Sequence, residues 1–393
     1  MRGDLFSSLL NVGVPRETSQ GERRLSIVPD SLSRLKKGIS VKVQAGAGDS
    51  AGIPDSAFLE KGATILPDAL SVYSESDIIC KVQPPTPAEA DLFKEGSTLI
   101  SFLYPLANLE TVRRLSTKRA TVFAMELMPR ISRAQSMDAL SSQATVSGYK
   151  AVIIASDTLP KLFPMLMTAA GTIPPARVFV VGAGVAGLQA IAVAKRLGAV
   201  VEAYDVRPVA KEQVESLGAK FVQIAVQTAD AQTSGGYAKA QSEDFYKKQQ
   251  ELLAERAGAS DVVITTALVP GQKAPQLISE DAVKRMRPGS VIVDLAAEQG
   301  GNCALTEPGK TVIKYGVTIH GPFNLPSTMA IQASQLYSRN ITSFLSALIK
   351  GEDDGGVSLN LDLKDDLIRG PLVLNNGEVL HEGTKKALLG SQS

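Results

Sequence analysis

Ala176-Arg177-Val178-Phe179-Val180-Val181-Gly182-Ala183-Gly184-Val185-Ala186-Gly187 carries an apolar, β-type run straight into the spacing Gly-x-Gly-x-x-Gly. A helical pattern follows from Leu188 to Leu197, and Ala199 to Tyr204 reads as a second strand ending on Asp205. Strand, glycine turn, helix, strand and acid in this register are the parts of a dinucleotide-binding unit. Gly182 permits the tight turn, Gly184 lets a pyrophosphate approach the backbone, and Gly187 lets helix and strand pack closely. Free N–H groups at the helix start then meet the phosphates. Asp205 stands where a carboxylate accepts the ribose hydroxyls of an adenine nucleotide and repels a 2′-phosphate. Arg207 is discordant, because an arginine there can serve a 2′-phosphate, yet the acid itself argues for NAD over NADP. Glycine-rich turns are common, so the flanking strands, helix and acid carry this reading rather than the glycines alone.

The bulk properties narrow the function classes. At 393 residues the chain is too long for one compact core, and two domains are expected. With 41 basic and 40 acidic side chains there is no electrostatic footprint for nucleic acid or anionic lipid. Two cysteines, Cys80 and Cys303, cannot build a disulfide framework, and no Cys/His spacing suggests zinc, so a reducing compartment is expected. No uninterrupted apolar stretch reaches the length of a bilayer span: Ala151 to Ala170 is broken by Asp157, Lys161 and two prolines. Met1 to Ser8 reads as a loose extension, and any membrane role is expected to come through a partner.

The first third alternates strand patterns (Val12 to Val14, Ser40 to Gln44, Asp77 to Val82, Thr98 to Leu103, Thr121 to Met125) with helical ones (Pro29 to Lys37, Asp55 to Lys61, Thr86 to Lys94, Asn108 to Lys118). The alternation restarts at Arg177 and continues through Lys220 to Val222, Asp261 to Thr266, Ser290 to Asp294 and Thr311 to Lys314. The expected class is therefore α/β: two Rossmann-like, doubly wound parallel-sheet domains joined by long helices, with a cleft between them. Ser132 to Ser156 reads as one bridging helix. Pro326 to Leu348 reads as another, leaving the second domain to return to the first. The expected division is 1–131 with 349–393 as the first domain and 132–348 as the second. Val226 to Glu243 has little apolar content, a Gly235-Gly236 hinge and a solitary Tyr237. A loop of this length is either a lid over bound nucleotide or a surface excursion, and its own residues do not choose.

Dehydrogenases that oxidise an alcohol or amine move a proton as well as a hydride, usually through a histidine or lysine. The chain has only His320 and His381. His381 lies in the C-terminal tail, and His320 reads as a structural histidine at a strand end. Lys81 either holds a substrate carboxylate or is an exposed lysine ending a strand, the second being slightly favoured. Richer chemistry sits in Arg130-Ile131-Ser132-Arg133-Ala134-Gln135-Ser136-Met137-Asp138 and Ser141. Gln135, Asp138 and Ser141 are spaced by three and share a face on a helix. Arginine, amide, carboxylate and hydroxyl suit the orientation of a carboxamide-bearing ring. Helix capping by Ser132 with solvated charge accounts for the segment equally well.

At these residues the chain resembles the NAD(H)-binding component of proton-translocating nicotinamide nucleotide transhydrogenase. The likeness is carried by MELMPRISRAQSMDALSSQ (Met125 to Gln143), MTAAGTIPPARVFVVGAGVAGLQAIAVAKRLGA (Met167 to Ala199), DVRPVAKEQVESLGAKF (Asp205 to Phe221), SGGYAK (Ser234 to Lys239) and PGSVIVDLAAEQGGNC (Pro288 to Cys303). It runs from Val12 to about Leu348. Alanine dehydrogenase, of the same superfamily, supplies a contrast: its catalytic histidine position falls here on Pro105 and its catalytic aspartate on Glu298, while Lys81 is retained. Without the histidine, amine oxidation loses its proton-handling group. Hydride exchange between two nicotinamide rings does not need one, because the protein's task is then position and electrostatics.

The resemblance implies that Gln135, Arg130, Asp138 and Ser141, in the segment with Ile131 and Ser132, contact the nicotinamide end. It assigns the pyrophosphate to Val185 and the turn of Gly182, Gly184 and Gly187. The adenosine ribose goes to Asp205, Val206 and Arg207, with Gly236 and Tyr237 in a lid and Gln249 and Leu268 completing the pocket. It implies NAD(H) on this chain and NADP(H) on a partner component. Further expectations are a transmembrane proton-channel component, a homodimer, no nucleic acid, and a cytoplasmic position peripheral to the inner membrane (the matrix or stromal side in an organelle). A stand-alone NAD-dependent alanine dehydrogenase is the alternative.

Overall fold

A computed structural model describes residues 9–224, 243–268, 273–351 and 356–390. Two compact units emerge, one of residues 1–143 with 327–393 and one of 144–326. The class is the expected α/β with parallel, Rossmann-like sheets.

The first unit is built on eight strands. From one edge their order is Glu378–Val379, Leu372–Asn375, Thr121–Ala124, Thr98–Ser101, Ile78–Cys80, Leu10–Val14, Ile39–Gln44 and Thr64–Leu66. All pair in parallel except the two tail strands: Leu372–Asn375 adds antiparallel to Thr121–Ala124, and Glu378–Val379 adds antiparallel to Leu372–Asn375. The central strands are buried throughout, as strands covered on both faces must be. Leu10–Val14 is flanked by Ile39–Gln44 and Ile78–Cys80, so the strand order reverses there.

The second unit repeats the plan: Lys220–Val222, Val200–Tyr204, Arg177–Val181, Val262–Thr265, Val291–Asp294, Val317–His320 and Thr311–Lys314, only the last antiparallel. Here the order reverses between Arg177–Val181 and Val262–Thr265. The crevice outside the carboxyl ends of two such strands is where open α/β sheets take ligands.

Two long segments depart from the sequence reading. The single helix expected over Ser132 to Ser156 is a 3-10 turn, Ser132–Met137, followed by an α-helix, Ala139–Thr158. The break is Asp138, at φ −73° and ψ 87°. Its carboxylate accepts the Ser141 N–H at 2.9 Å and the Ser141 hydroxyl at 2.6 Å, which starts a new helix behind it. Gln135, Asp138 and Ser141 therefore do not share one helical face. Ser132 is no cap either: Ile131 holds that position and makes no side-chain bond.

The second long segment is a 3-10 turn, Leu325–Met329, followed by the α-helix Ala330–Leu348. That helix buries Tyr337, Ile341, Phe344, Leu345 and Leu348, a stripe at helical spacing that belongs to the first unit's core. Each large apolar side chain in it contributes about 1.5–3 kcal/mol by burial. Its serines also hold an otherwise irregular stretch, Ser334 Oγ accepting the Leu25 N–H at 2.9 Å and Ser338 Oγ the Val28 N–H at 3.0 Å. This packing puts the helix with residues 1–143, whereas the sequence placed it with the second domain. Ala134, Met137 and Ala139 join the same core, so the other dividing point lies within Ala139–Thr158, beyond the 131/132 position read from sequence.

Candidate functional site

The glycine turn stands at the strand-order reversal of the second unit. Gly182 has φ +99°, a left-handed conformation that strains any side chain. Gly184 is the N-cap of the helix Val185–Arg196, with extended backbone and no side-chain cap bond. A Cβ built on Gly184 meets nothing within 4 Å, whereas one on Gly187 would lie 1.8 Å from the Gly182 carbonyl oxygen. The two glycines thus serve different ends, an open approach to the backbone and a tight internal contact. The first-turn N–H groups of that helix have no intrahelical partner and offer an anion their positive end. A dinucleotide's pyrophosphate fits this arrangement.

Asp205, just past Val200–Tyr204, is more deeply engaged than the ribose assignment alone implies. Its Oδ2 accepts from the Ala183 N–H at 2.8 Å and from Arg207 Nη2 at 2.8 Å; its Oδ1 accepts from the Arg207 backbone N–H and from Arg207 Nε, both at 2.9 Å. In this bidentate pair the guanidinium is bound to the acid, whose hydrogen bonds hold it above its ordinary pKa. The carboxylate is thus already shared between the glycine turn and Arg207. Val206 is half-buried against the core. Gln249 is buried, and its amide donates to the Tyr204 hydroxyl at 2.9 Å, so in this arrangement it supports the strand end. Leu268 is half-exposed beyond Val262–Thr265. Gly236 and Tyr237, with most of the expected lid, lie outside the described residues.

In the first unit, Arg130, Ile131, Ser132 and Gln135 are exposed, and Asp138 and Ser141 are half-buried and bonded to each other. They follow Thr121–Ala124 at the carboxyl edge of the sheet. Lys81 is not the exposed lysine read from sequence. It is 1% exposed, 2.8 Å from Glu89 and 3.4 Å from Glu17. Burial pulls its ammonium pKa down, but the two carboxylates outweigh that and hold it above its ordinary value. Both acids lie close enough to answer the lysine's charge from within the fold, so a substrate carboxylate competes with two internal ones.

The Pro105 region is held by a residue the sequence reading passed over. Glu126 is half-buried, and the loss of water around it raises its carboxyl above the ordinary range. It accepts the N–H groups of Leu103 and Tyr104, while Asn108 Nδ2 donates to their carbonyls at 2.8 and 3.2 Å. Tyr104 sits at φ +45°, a strained non-glycine conformation kept by those bonds. Glu298, at the other position of contrast, accepts the backbone N–H of Asn324, itself at φ +43°. Of the two histidines, His320 spans Thr158 and Thr311 hydroxyls at 3.0 and 2.9 Å, and His381 lies 2.7 Å from the Thr384 hydroxyl. Among the described residues no group of His, Cys, Asp and Glu could hold a metal ion, and no helix is long and apolar enough to cross a membrane.

Comparison with known proteins identifies the family. Residues 13–147 match the family "Alanine dehydrogenase/PNT, N-terminal domain" and residues 151–382 its C-terminal counterpart. An NAD(P) transhydrogenase subunit alpha polypeptide of Rhodospirillum rubrum is 49% identical over 381 residues, covering 95% of this chain and 98% of that protein. An alanine dehydrogenase of Methanococcus maripaludis is 28% identical over 96% of both chains. The crystal structure of transhydrogenase from Sinorhizobium meliloti superposes with a TM-score of 0.82 at 41% identity, over 95% of this chain and 99% of that one.

Proposed function

The chain belongs to the alanine dehydrogenase/PNT family, and from that premise we propose that it is the NAD(H)-binding alpha subunit of a transhydrogenase, exchanging hydride with NADP(H) on a partner component. The observation that carries this is the glycine turn at the strand-order reversal, with Gly184 open to approach and Asp205 at the neighbouring strand end. NAD(H) supplies the hydride chemistry. The chain's own residues bind and orient: the turn and Val185 take the pyrophosphate, and Asp205, Val206 and Arg207 take the adenosine ribose. Gln249 and Leu268 complete the site, and Arg130, Ile131, Ser132, Gln135, Asp138 and Ser141 set the nicotinamide end. Gly236 and Tyr237 act as a lid in the same proposal.

Amino-acid oxidation is the weaker reading. Proline stands where alanine dehydrogenase places its histidine, Lys81 is paired with Glu17 and Glu89, and both histidines are engaged by threonines.

The partners complete the proposal: an NADP(H)-binding component and a transmembrane proton channel, with transfer specific for opposite faces of the two nicotinamides (Re/Si). The chain then works at the membrane's cytoplasmic, matrix or stromal side through those partners. A homodimer is supported by the hairpin Leu166–Thr168 and Gly171–Ile173, which exposes Met165, Leu166, Met167 and Ile173 at 40–75%. Titration of the purified chain with NADH and NADPH tests the nucleotide assignment. NADH should bind far more tightly, and equal affinities contradict it.

A further inference from the structure

The peptide unit between Gly182 and Ala183 is held at both ends by side chains that stand just past two neighbouring strands. Its carbonyl accepts the Thr266 hydroxyl at 2.9 Å, and its N–H donates to Asp205 Oδ2 at 2.8 Å. A Cβ on Gly182 would lie 2.6 Å from Thr266 Oγ1, and one on Gly187 would lie 3.2 Å from it. The hydroxyl and both glycines therefore occupy one small volume, and the orientation of this peptide depends on all three.

Thr266 is itself gripped from both sides. Its N–H donates to the Val181 carbonyl at 2.9 Å. On one flank the Thr265 hydroxyl donates to Asp294 Oδ1 at 2.9 Å. On the other, Ala267 exchanges both backbone groups with the Asn302 amide, N–H to Oδ1 at 2.9 Å and Nδ2 to the carbonyl at 2.8 Å. Asn302 N–H in turn donates to Asp294 Oδ2 at 2.8 Å. Asp294 and Asn302 are wholly buried. A buried carboxylate is costly unless hydrogen-bonded, and Asp294 also accepts from Ala296 N–H, Cys303 N–H and the Thr306 hydroxyl at 3.0, 3.0 and 2.7 Å. A network satisfied to this degree is stiff.

We propose that Thr266 is a positioning residue for the phosphate-binding turn, fixing the Gly182–Ala183 peptide through its hydroxyl, and that Asp294 and Asn302 hold Thr266 in register. This rests on the reading of Gly182 to Gly187 as a dinucleotide site. Because the Thr266 hydroxyl bonds the turn's carbonyl and reaches Asp205 only through the same peptide, its loss should fall more heavily on ligands that carry phosphate than on adenosine.

The test uses the full chain as Thr266→Val, which keeps the shape and removes the hydroxyl, and Thr266→Ser, which restores it. Dissociation constants are measured for NADH, ADP and adenosine. Thr266→Val should weaken NADH and ADP about tenfold and adenosine less than about twofold, with Thr266→Ser returning all three to near the parent values. Asn302→Ala should show the same phosphate-selective loss, and unchanged NADH affinity in it would remove Asn302 from the chain of contacts. Parent-like NADH affinity in Thr266→Val overturns the proposal, as does an equal loss for adenosine, which general loosening produces. Failure of the parent chain to bind NADH at all would strike the dinucleotide reading beneath it.

Discussion

Ala183 and Asp205 are joined by a 2.8 Å hydrogen bond from the amide of the glycine turn to the acid that ends the next strand. One carboxylate thereby ties the proposed phosphate side of the site to its proposed ribose side, with Arg207 bound across both oxygens. Asp205→Ala removes the anchor and the ribose acceptor together. Its Kd for NADH should rise roughly tenfold or more, as expected when a hydrogen bond to a charged group worth about 1.5–3 kcal/mol is lost. Calorimetric titration that finds parent affinity would refute this dual role.

Gln135 is exposed on the short turn Ser132–Met137 and precedes the helix restarted by Asp138. A side chain that positions a ring affects the transfer step more than affinity. Gln135→Asn should therefore slow hydride exchange by roughly tenfold or more while NADH affinity stays within about twofold. A large loss of affinity at an unchanged transfer rate would assign it to binding instead.

Gly148 lies in Ala139–Thr158, where a Cβ would sit 2.1 Å from the Ala186 carbonyl oxygen in the first turn of Val185–Arg196. Backbone cannot yield as a flexible side chain does. Gly148→Ala should destabilise the fold by about 1–3 kcal/mol and weaken NADH binding by shifting that first turn. Denaturant melts and NADH titration measure the two effects, and no change in either would mean the helices separate freely.

His320 gives a pH dependence with a definite sign. Burial holds its imidazole below the ordinary 6.5, so below that pH the unfolded chain takes up the proton first. The stability contributed by the neutral ring is complete above pH 6.5 and is lost as pH falls through that value towards the lower folded one. Between about pH 7.5 and 5.5, the parent's Tm should fall more steeply than that of His320→Gln. Parallel slopes would show that His320 titrates alike in both states.

The α/β class and most strands were legible because period-two and period-3.6 patterns report burial directly. The glycine turn was legible because its backbone geometry admits few residues. What escaped depended on side chains meeting across the chain. Asp294 ends an apolar strand as Asp205 does, yet only contacts with Thr265, Asn302 and Thr306 show that it is a buried hub. Lys81 looked exposed because its neutralising partners, Glu17 and Glu89, lie on other segments. The break at Asp138 was hidden because the same spacing of three that suggests a shared face also suits a cap bonded to Ser141.

The most direct measurement is hydride exchange itself: the purified chain, loaded with NADH, is mixed with an NADP-binding transhydrogenase component and NADP⁺, and formation of NADPH is followed. Reduction of NADP⁺ that requires this chain, with no reduction of NAD⁺ when the chain alone is given L-alanine, is the predicted result. Brisk alanine-dependent NADH formation by the chain alone, or no exchange with a competent partner, would contradict it.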